Sequence, residues 1–244
     1  MLKIEKTEVF GWEAAIRGMR NPMNSWDKSD SDWEFVEDIA TINPNDEFKF
    51  VLGENDLKLM KNLSKAGNDH GKFLRMINVT LDITAPFYWW KEFDTYKVGT
   101  VANSCSTMHK IHAKEFELDD FSHEHLTDGD KECVDEDDWV DVSEDGCDVD
   151  QWDAIEFAKM IVRALNVYRL RYLETKDKKY WWQMIQLLPS SYNQKRTVQL
   201  NYQVLKTMCY ARKEHKLDEW REFCKWIEEL PYFKEIVLNA DNNN

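Results

Sequence analysis

Asn201 and Arg212 are the residues of this 244-residue chain whose setting most demands chemistry. Val198, Asn201, Tyr202, Leu205, Met208 and Arg212 recur at spacings of three and four, which predicts a helix with an amide and a guanidinium on a largely apolar stripe. A guanidinium there needs a carboxylate, a phosphate or carbonyls to satisfy its donors. A second polar set follows Gly99: Thr100, Asn103, Ser104, Cys105, Ser106 and Thr107. Such short side chains suit either a bound ligand or the loop's own backbone, and both readings stay open. His70, in a loop, is read as solvated or as a local hydrogen-bonding group. His123-Glu124-His125 places two imidazoles two residues apart, which face one side only on a strand and leave Glu124 facing away, so no metal is expected. Asp141 to Gly146 resembles the first half of a calcium loop, but its twelfth position is Trp152 where a bidentate Glu is required.

The elements that must position these residues are legible in the hydrophobic pattern. Ile77, Val79, Leu81 and Ile83 alternate with Asn78, Thr80 and Asp82, the period of a half-buried strand. Pro86 ends it, and Phe87-Tyr88-Trp89-Trp90 with Phe93 and Tyr96 predicts a short aromatic helix. Upstream, Met1–Phe10 predicts an edge strand, Trp12, Ala15, Ile16 and Met19 a short helix, and Phe48–Leu52 a strand. Trp33, Phe35, Val36 and Ile39 form a further apolar cluster, and Asp56 is expected to cap a helix carrying Leu57, Met60 and Leu63. From Asp150 the pattern is helical to the end: a long helix to about Glu174, a polar turn at Lys176–Lys179, a helix stopped by Pro189, the Asn201–Arg212 helix, and a last one burying Trp220, Phe223, Cys224 and Ile227. Strands early and helices late give an α+β class, an antiparallel sheet flanked by helices with a helical C-terminal half.

Composition bounds the partners. The net charge of −14 belongs to one stretch, because Glu117–Asp150 holds 16 acids and one Lys while the rest is close to neutral. The body of the chain therefore has no footprint for duplex nucleic acid or an anionic membrane. Five cysteines without a CxxC indicate reduced thiols, and no apolar window approaches a membrane span, so a cytoplasmic protein is expected. We read residues 1–244 as a single domain with an acidic insertion at about 117–150 and a disordered tail at 239–244.

The chain resembles the flavin-dependent thymidylate synthases (ThyX). Leu188-Pro189, Asn201 and Arg212 match the family's C-terminal spacing without a gap, and His70-Gly71 stands upstream of Ile83-Thr84-Ala85-Pro86 at the family's distance. With one residue inserted near Val101, Asn103 and Ser106 fall on the Asn and last Ser of the signature R-H-R-x-x-S-x-N-E-x-S-x-R. Where the signature has R-H-R, this chain has Thr95-Tyr96-Lys97; Thr100 stands for its first Ser, Ser104 for its Glu, and Ile185 for an Arg before Leu188. The resemblance covers about half the chain. It implies a ThyX-like fold, FAD as cofactor with no metal, and a homotetramer. It further implies nucleotide contacts from Arg212, Lys97, Thr100, Asn103, Ser106 and Tyr96, and flavin contacts from His70 and Asn201.

Bidentate phosphate contacts of arginines are not reproduced by Thr, Tyr or Ile. The favoured reading is therefore a nucleotide- or flavin-binding protein rather than a competent thymidylate synthase, with Trp89, Trp90, Phe93 and Tyr96 rimming the pocket and Lys97 and Arg212 supplying charge. The alternatives are a divergent synthase methylating dUMP, and an acidic interaction protein acting through segment 117–150.

Overall fold

The computed structural model describes residues 2–35, 48–127 and 154–238. Val36 and Ile39, the middle of the acidic segment with its calcium-like loop, and the tail 239–244 lie outside the described residues. Strands β1 (Lys3–Phe10), β2 (Asp32–Phe35), β3 (Phe48–Val51), β4 (Asn78–Pro86), β5 (Val101–Ser104) and β6 (Asn193–Asn201) form two sheets. One is an antiparallel four-stranded sheet in the order β1-β4-β6-β5; the other pairs β2 with β3 from Asp32 opposite Val51 to Phe35 opposite Phe48. The helices are α1 (Trp12–Arg20), α2 (Glu54–Lys65), α3 (Phe87–Phe93), α4 (Thr107–Lys110), α5 (Ala154–Thr175), α6 (Lys178–Leu187), α7 (Tyr202–Arg212) and α8 (Asp218–Glu229). The architecture is α+β, an antiparallel sheet flanked by helices.

The chain divides into two compact units. The first comprises residues 84–91 and 104–195, with its core at Ile111, Phe116, Phe121, Leu165 and Met184. The second comprises residues 2–83, 92–103 and 196–244. Its core is the inward row Ile77, Val79, Leu81 and Ile83, together with Val198, Leu200, Tyr202 and the ring cluster Phe93, Trp220 and Phe223.

Four expectations are corrected. The helix read from Val198 onward begins only at Tyr202, because Asn193–Asn201 is a sheet strand in which Val198 and Leu200 alternate inward. In a run this short, two-residue alternation running into a helix mimics a spacing of three and four. Asp56 is not a cap but lies within α2, whose N-cap is Gly53, and is fully buried against Arg20. Trp89, Trp90 and Phe93 do not rim a pocket; each is at most 1% exposed. The Trp90 indole donates to the Gln194 carbonyl oxygen at 2.9 Å, so its polar edge is consumed in the core. The expected turn at Lys176–Lys179 is shorter than read, since α6 starts at Lys178 with the Asp177 carboxylate accepting from the Lys179 amide.

Candidate functional site

The loop after α3 is built by local hydrogen bonding. Thr95 and Tyr96 donate their amides to Glu92 and Phe93 carbonyls, extending the last turn, and Gly99 at φ 78° redirects the chain into β5. Only glycine fits at that point. A Cβ there would lie 2.6 Å from Asn201 Nδ2 and 3.1 Å from Val204 Cγ2. Asn201 closes β6 and caps α7, its Oδ1 accepting from the Val204 amide at 3.0 Å. The Tyr202 amide donates to the Ile77 carbonyl, and Gln203 beside it faces a cleft.

That cleft has a volume of about 440 Å³. Tyr96, Lys97, Gly99 and Asn201 form one part of its wall; Gln203, Val204 and Thr207 of α7 form another, and Arg75 a third. Among the described residues no carboxylate lines it. Arg75 and Lys97 are exposed and make no ion pair or hydrogen bond among the described residues. Asn201 is 8% exposed, and its Nδ2 has no partner among the described residues. Arg75, Lys97 and Asn201 Nδ2 thus place donors beside the positive end of α7, which suits an anion.

Arg212 does not line the cleft but stands behind it. Its Nη1 donates to Glu92 Oε2 at 2.6 Å, its Nε donates to the Tyr96 hydroxyl oxygen at 3.0 Å, and its guanidinium carbon lies 4.9 Å from the Trp220 ring centroid. The group that satisfies this arginine is therefore the Glu92 carboxylate, which also accepts from Trp220 Nε1 at 2.9 Å.

Of the other sequence-derived residues, His70 is exposed and begins the 3-10 turn Gly71–Arg75, which reaches the cleft through Arg75 rather than through the imidazole. Ser106 caps α4, its Oγ accepting from the His109 amide. Asn103 is exposed on β5, and the Thr100 hydroxyl is buried without a hydrogen-bond partner among the described residues. Arg75 and Glu92 were not singled out in the sequence. Glu92 had a signal, the need of Arg212 for a carboxylate, a phosphate or carbonyls; Arg75 had none, since only the fold carries its turn to α7. His123 Nδ1 lies 2.8 Å from the Phe121 carbonyl oxygen, and among the described residues no group of three or more His, Cys, Asp or Glu is placed to hold a metal ion.

No protein-family model and no curated protein matches this sequence. Solved structures do match it. Thymidylate synthase X (ThyX) from Helicobacter pylori, crystallised with FAD and dUMP, is similar over 98% of this chain and 99% of its own, with a TM-score of 0.62 and 16% identity. Flavin-dependent thymidylate synthase ThyX from Helicobacter pylori, complexed with FAD and dUMP, matches over 96% and 97%, with a TM-score of 0.60 and 17% identity. The fold is ThyX-like. On this ThyX-like fold, Tyr96, Lys97 and Asn201 come together in one cleft, while Arg212 is drawn into the ion pair behind it. Among the described residues no helix is long and apolar enough to cross a membrane.

Proposed function

We propose that this chain is a nucleotide- or flavin-binding protein on a ThyX-like fold and not a competent thymidylate synthase. The observation that carries the reading is the charge of the cleft: among the described residues Arg75 and Lys97 make no ion pair, and no carboxylate lines the wall. Two cations and an amide nitrogen without partners among the described residues suit a phosphate, and the half-buried Tyr96 ring offers one face to a base or a flavin. The volume of about 440 Å³ falls in the range of small-molecule sites. The residues present thus fit the phosphate-bearing part of a nucleotide or of FAD. FAD, when bound, would supply redox chemistry at its flavin ring. Lys97 and Arg75 would hold the phosphate, Tyr96 would lie against a ring, and Asn201 would donate from the cleft floor.

Against synthase activity stands the replacement of R-H-R by Thr95-Tyr96-Lys97, together with the engagement of Arg212 by Glu92. The ThyX structures contain FAD and dUMP, and these two ligands are the first to test. In a thermal-shift titration, wild-type protein is expected to gain stability with dUMP or FAD, by about 2.7 kcal/mol when free ligand is 100 times Kd. A Tm unmoved by millimolar dUMP, FMN and FAD overturns the reading. Formation of dTMP from dUMP with reduced flavin and a methylene-folate would establish the synthase instead.

A further inference from the structure

A second cavity, of about 140 Å³, lies where α1 meets the paired strands β2 and β3, and it shares no lining residue with the cleft. Trp26, Trp33 and Phe50 supply its aromatic wall. Trp33 and Phe50 face each other across the two strands, with ring centroids 5.4 Å apart and planes at 74°, so the rings make a corner. Trp26 and Trp33 are 51% and 48% exposed, yet neither indole N–H is left over. Trp26 Nε1 donates to Asn21 Oδ1 at 2.8 Å, and Trp33 Nε1 donates to Glu13 Oε1 at 3.2 Å. Both rings are therefore pinned, and what they still offer is π surface. Most other polar groups of the wall are spent. Arg20 is paired with Asp56, and the Ser29 and Ser31 hydroxyls donate to that same carboxylate. Asp32 Oδ1 accepts from the Trp33 amide at 2.8 Å. Glu13 and Arg17 stand one turn apart on α1, a spacing at which such residues usually pair, but no ion pair joins them among the described residues. Glu13 is given to the Trp33 indole, and Arg17 is exposed with no hydrogen bond or ion pair among the described residues.

We infer that this cavity is a binding site for a small zwitterion, a trimethylammonium group joined to a carboxylate or a phosphate. The cation would lie among the rings of Trp26, Trp33 and Phe50, whose quadrupoles attract it, with the Glu13 and Asp32 carboxylates adding to that field. A quaternary ammonium needs no hydrogen-bond acceptor, so rings whose own donors are already used suffice to hold it. The anion would meet Arg17. Charge complementarity selects this class: a simple anion would face the two carboxylates, a simple cation would face Arg17, and a zwitterion meets both signs. The site is independent of the nucleotide- or flavin-binding reading of the cleft.

The test is a ligand-observed NMR titration of the full chain with four probes. They are glycine betaine, phosphocholine, choline, which lacks the anion, and tert-butylacetate, in which carbon replaces the ammonium nitrogen of glycine betaine. One zwitterion is expected to bind about tenfold more tightly than choline and than tert-butylacetate. Which zwitterion shows the preference identifies the anionic group. Trp26→Leu and Trp33→Leu are each expected to weaken that zwitterion roughly tenfold. Arg17→Gln is expected to remove the preference over choline, and Glu13→Gln, which keeps an acceptor for Trp33 Nε1, to reduce the preference over tert-butylacetate. Trp33 also packs on Phe50, so if Trp33→Leu lowers Tm, the exposed Trp26 and Arg17, which lie outside the strand pair, still decide the matter. Binding of choline or tert-butylacetate as tight as that of both zwitterions overturns the inference, as does the absence of binding by all four at millimolar concentration. Unchanged zwitterion affinity in both Trp26→Leu and Arg17→Gln places the ligand elsewhere and overturns it equally.

Discussion

Two arginine-bearing regions of this chain handle charge in opposite ways. Arg20 and Asp56 form an ion pair with side chains 4% and 0% exposed. Arg20 Nε meets Asp56 Oδ1 at 2.6 Å, its Nη1 and Nη2 donate to the Ser25 and Lys28 carbonyls, and Asp56 Oδ2 accepts from Ser29 Oγ, Ser31 Oγ and the Asp30 amide. In the cleft, Arg75 and Lys97 make no such contacts among the described residues. A charge whose hydrogen bonds are all internal is structure; a charge whose donors open onto a cavity is available for a partner. Arg212 lies between these extremes, paired to Glu92 with side chains 20% and 34% exposed.

The largest expected effect tests the closed extreme. Asp56→Ala leaves the Arg20 charge buried and unpaired and should destabilise by about 3–5 kcal/mol, read as a Tm fall of roughly 10 °C in thermal denaturation. A loss under about 1 kcal/mol would place this pair with ordinary solvent-exposed ones. The same carboxylate gives a pH signature. Burial alone would raise its pKa, but hydrogen bonds from Ser29, Ser31 and Arg20 and the Arg20 charge outweigh that and hold it below the ordinary range. A lowered acid stabilises fully above its unfolded pKa of about 4, and that stability is lost as pH falls through the folded value. Urea unfolding followed from pH 6 downward, on an order-of-magnitude pH scale of about one unit per step, should show this loss in wild type and a flatter curve in Asp56→Ala.

Arg212→Ala tests the middle case. It strands a partly exposed Glu92, so about 1–2 kcal/mol is expected after allowing for solvent screening. Gly99→Ala should cost about 1–2 kcal/mol, because φ of 78° is strained for alanine and its Cβ would press on the capping Asn201 amide. It should also abolish dUMP-induced stabilisation. The smallest effect on stability belongs to the open extreme. Arg75→Ala and Lys97→Ala should stay within about 0.5 kcal/mol of wild type while each weakens dUMP or FMN binding. A large destabilisation by either would show the cations to be structural and break the contrast.

The legible parts of the fold are those decided over a few residues. The alternation at Ile77–Ile83 predicts β4, Pro189 marks the end of α6, and the spacing of Trp12, Ala15, Ile16 and Met19 predicts α1. β6 escaped because Val198, Tyr202 and Leu205 fit a helix on spacing alone; what makes Asn193–Asn201 a strand is its place in the sheet, where Thr197 Oγ1 donates to Asp82 Oδ1 at 2.6 Å. The aromatic run Phe87–Phe93 was recognisable as a helix, but not the fact that Trp89, Trp90 and Phe93 face a core.

The sequence by itself determined the α+β class, the strand-to-helix passage at Pro86 and the small polar set Thr100–Thr107, since these depend on backbone propensity and near neighbours. It also determined that Arg212 would need a carboxylate, a phosphate or carbonyls. Only the tertiary structure decided which one: Glu92, 120 residues away, takes the place a ligand phosphate could have held. The same folding leaves Arg75 and Lys97 at one cleft with no ion pair among the described residues. Charge satisfaction is settled by which elements become adjacent in space, and no local pattern encodes that adjacency.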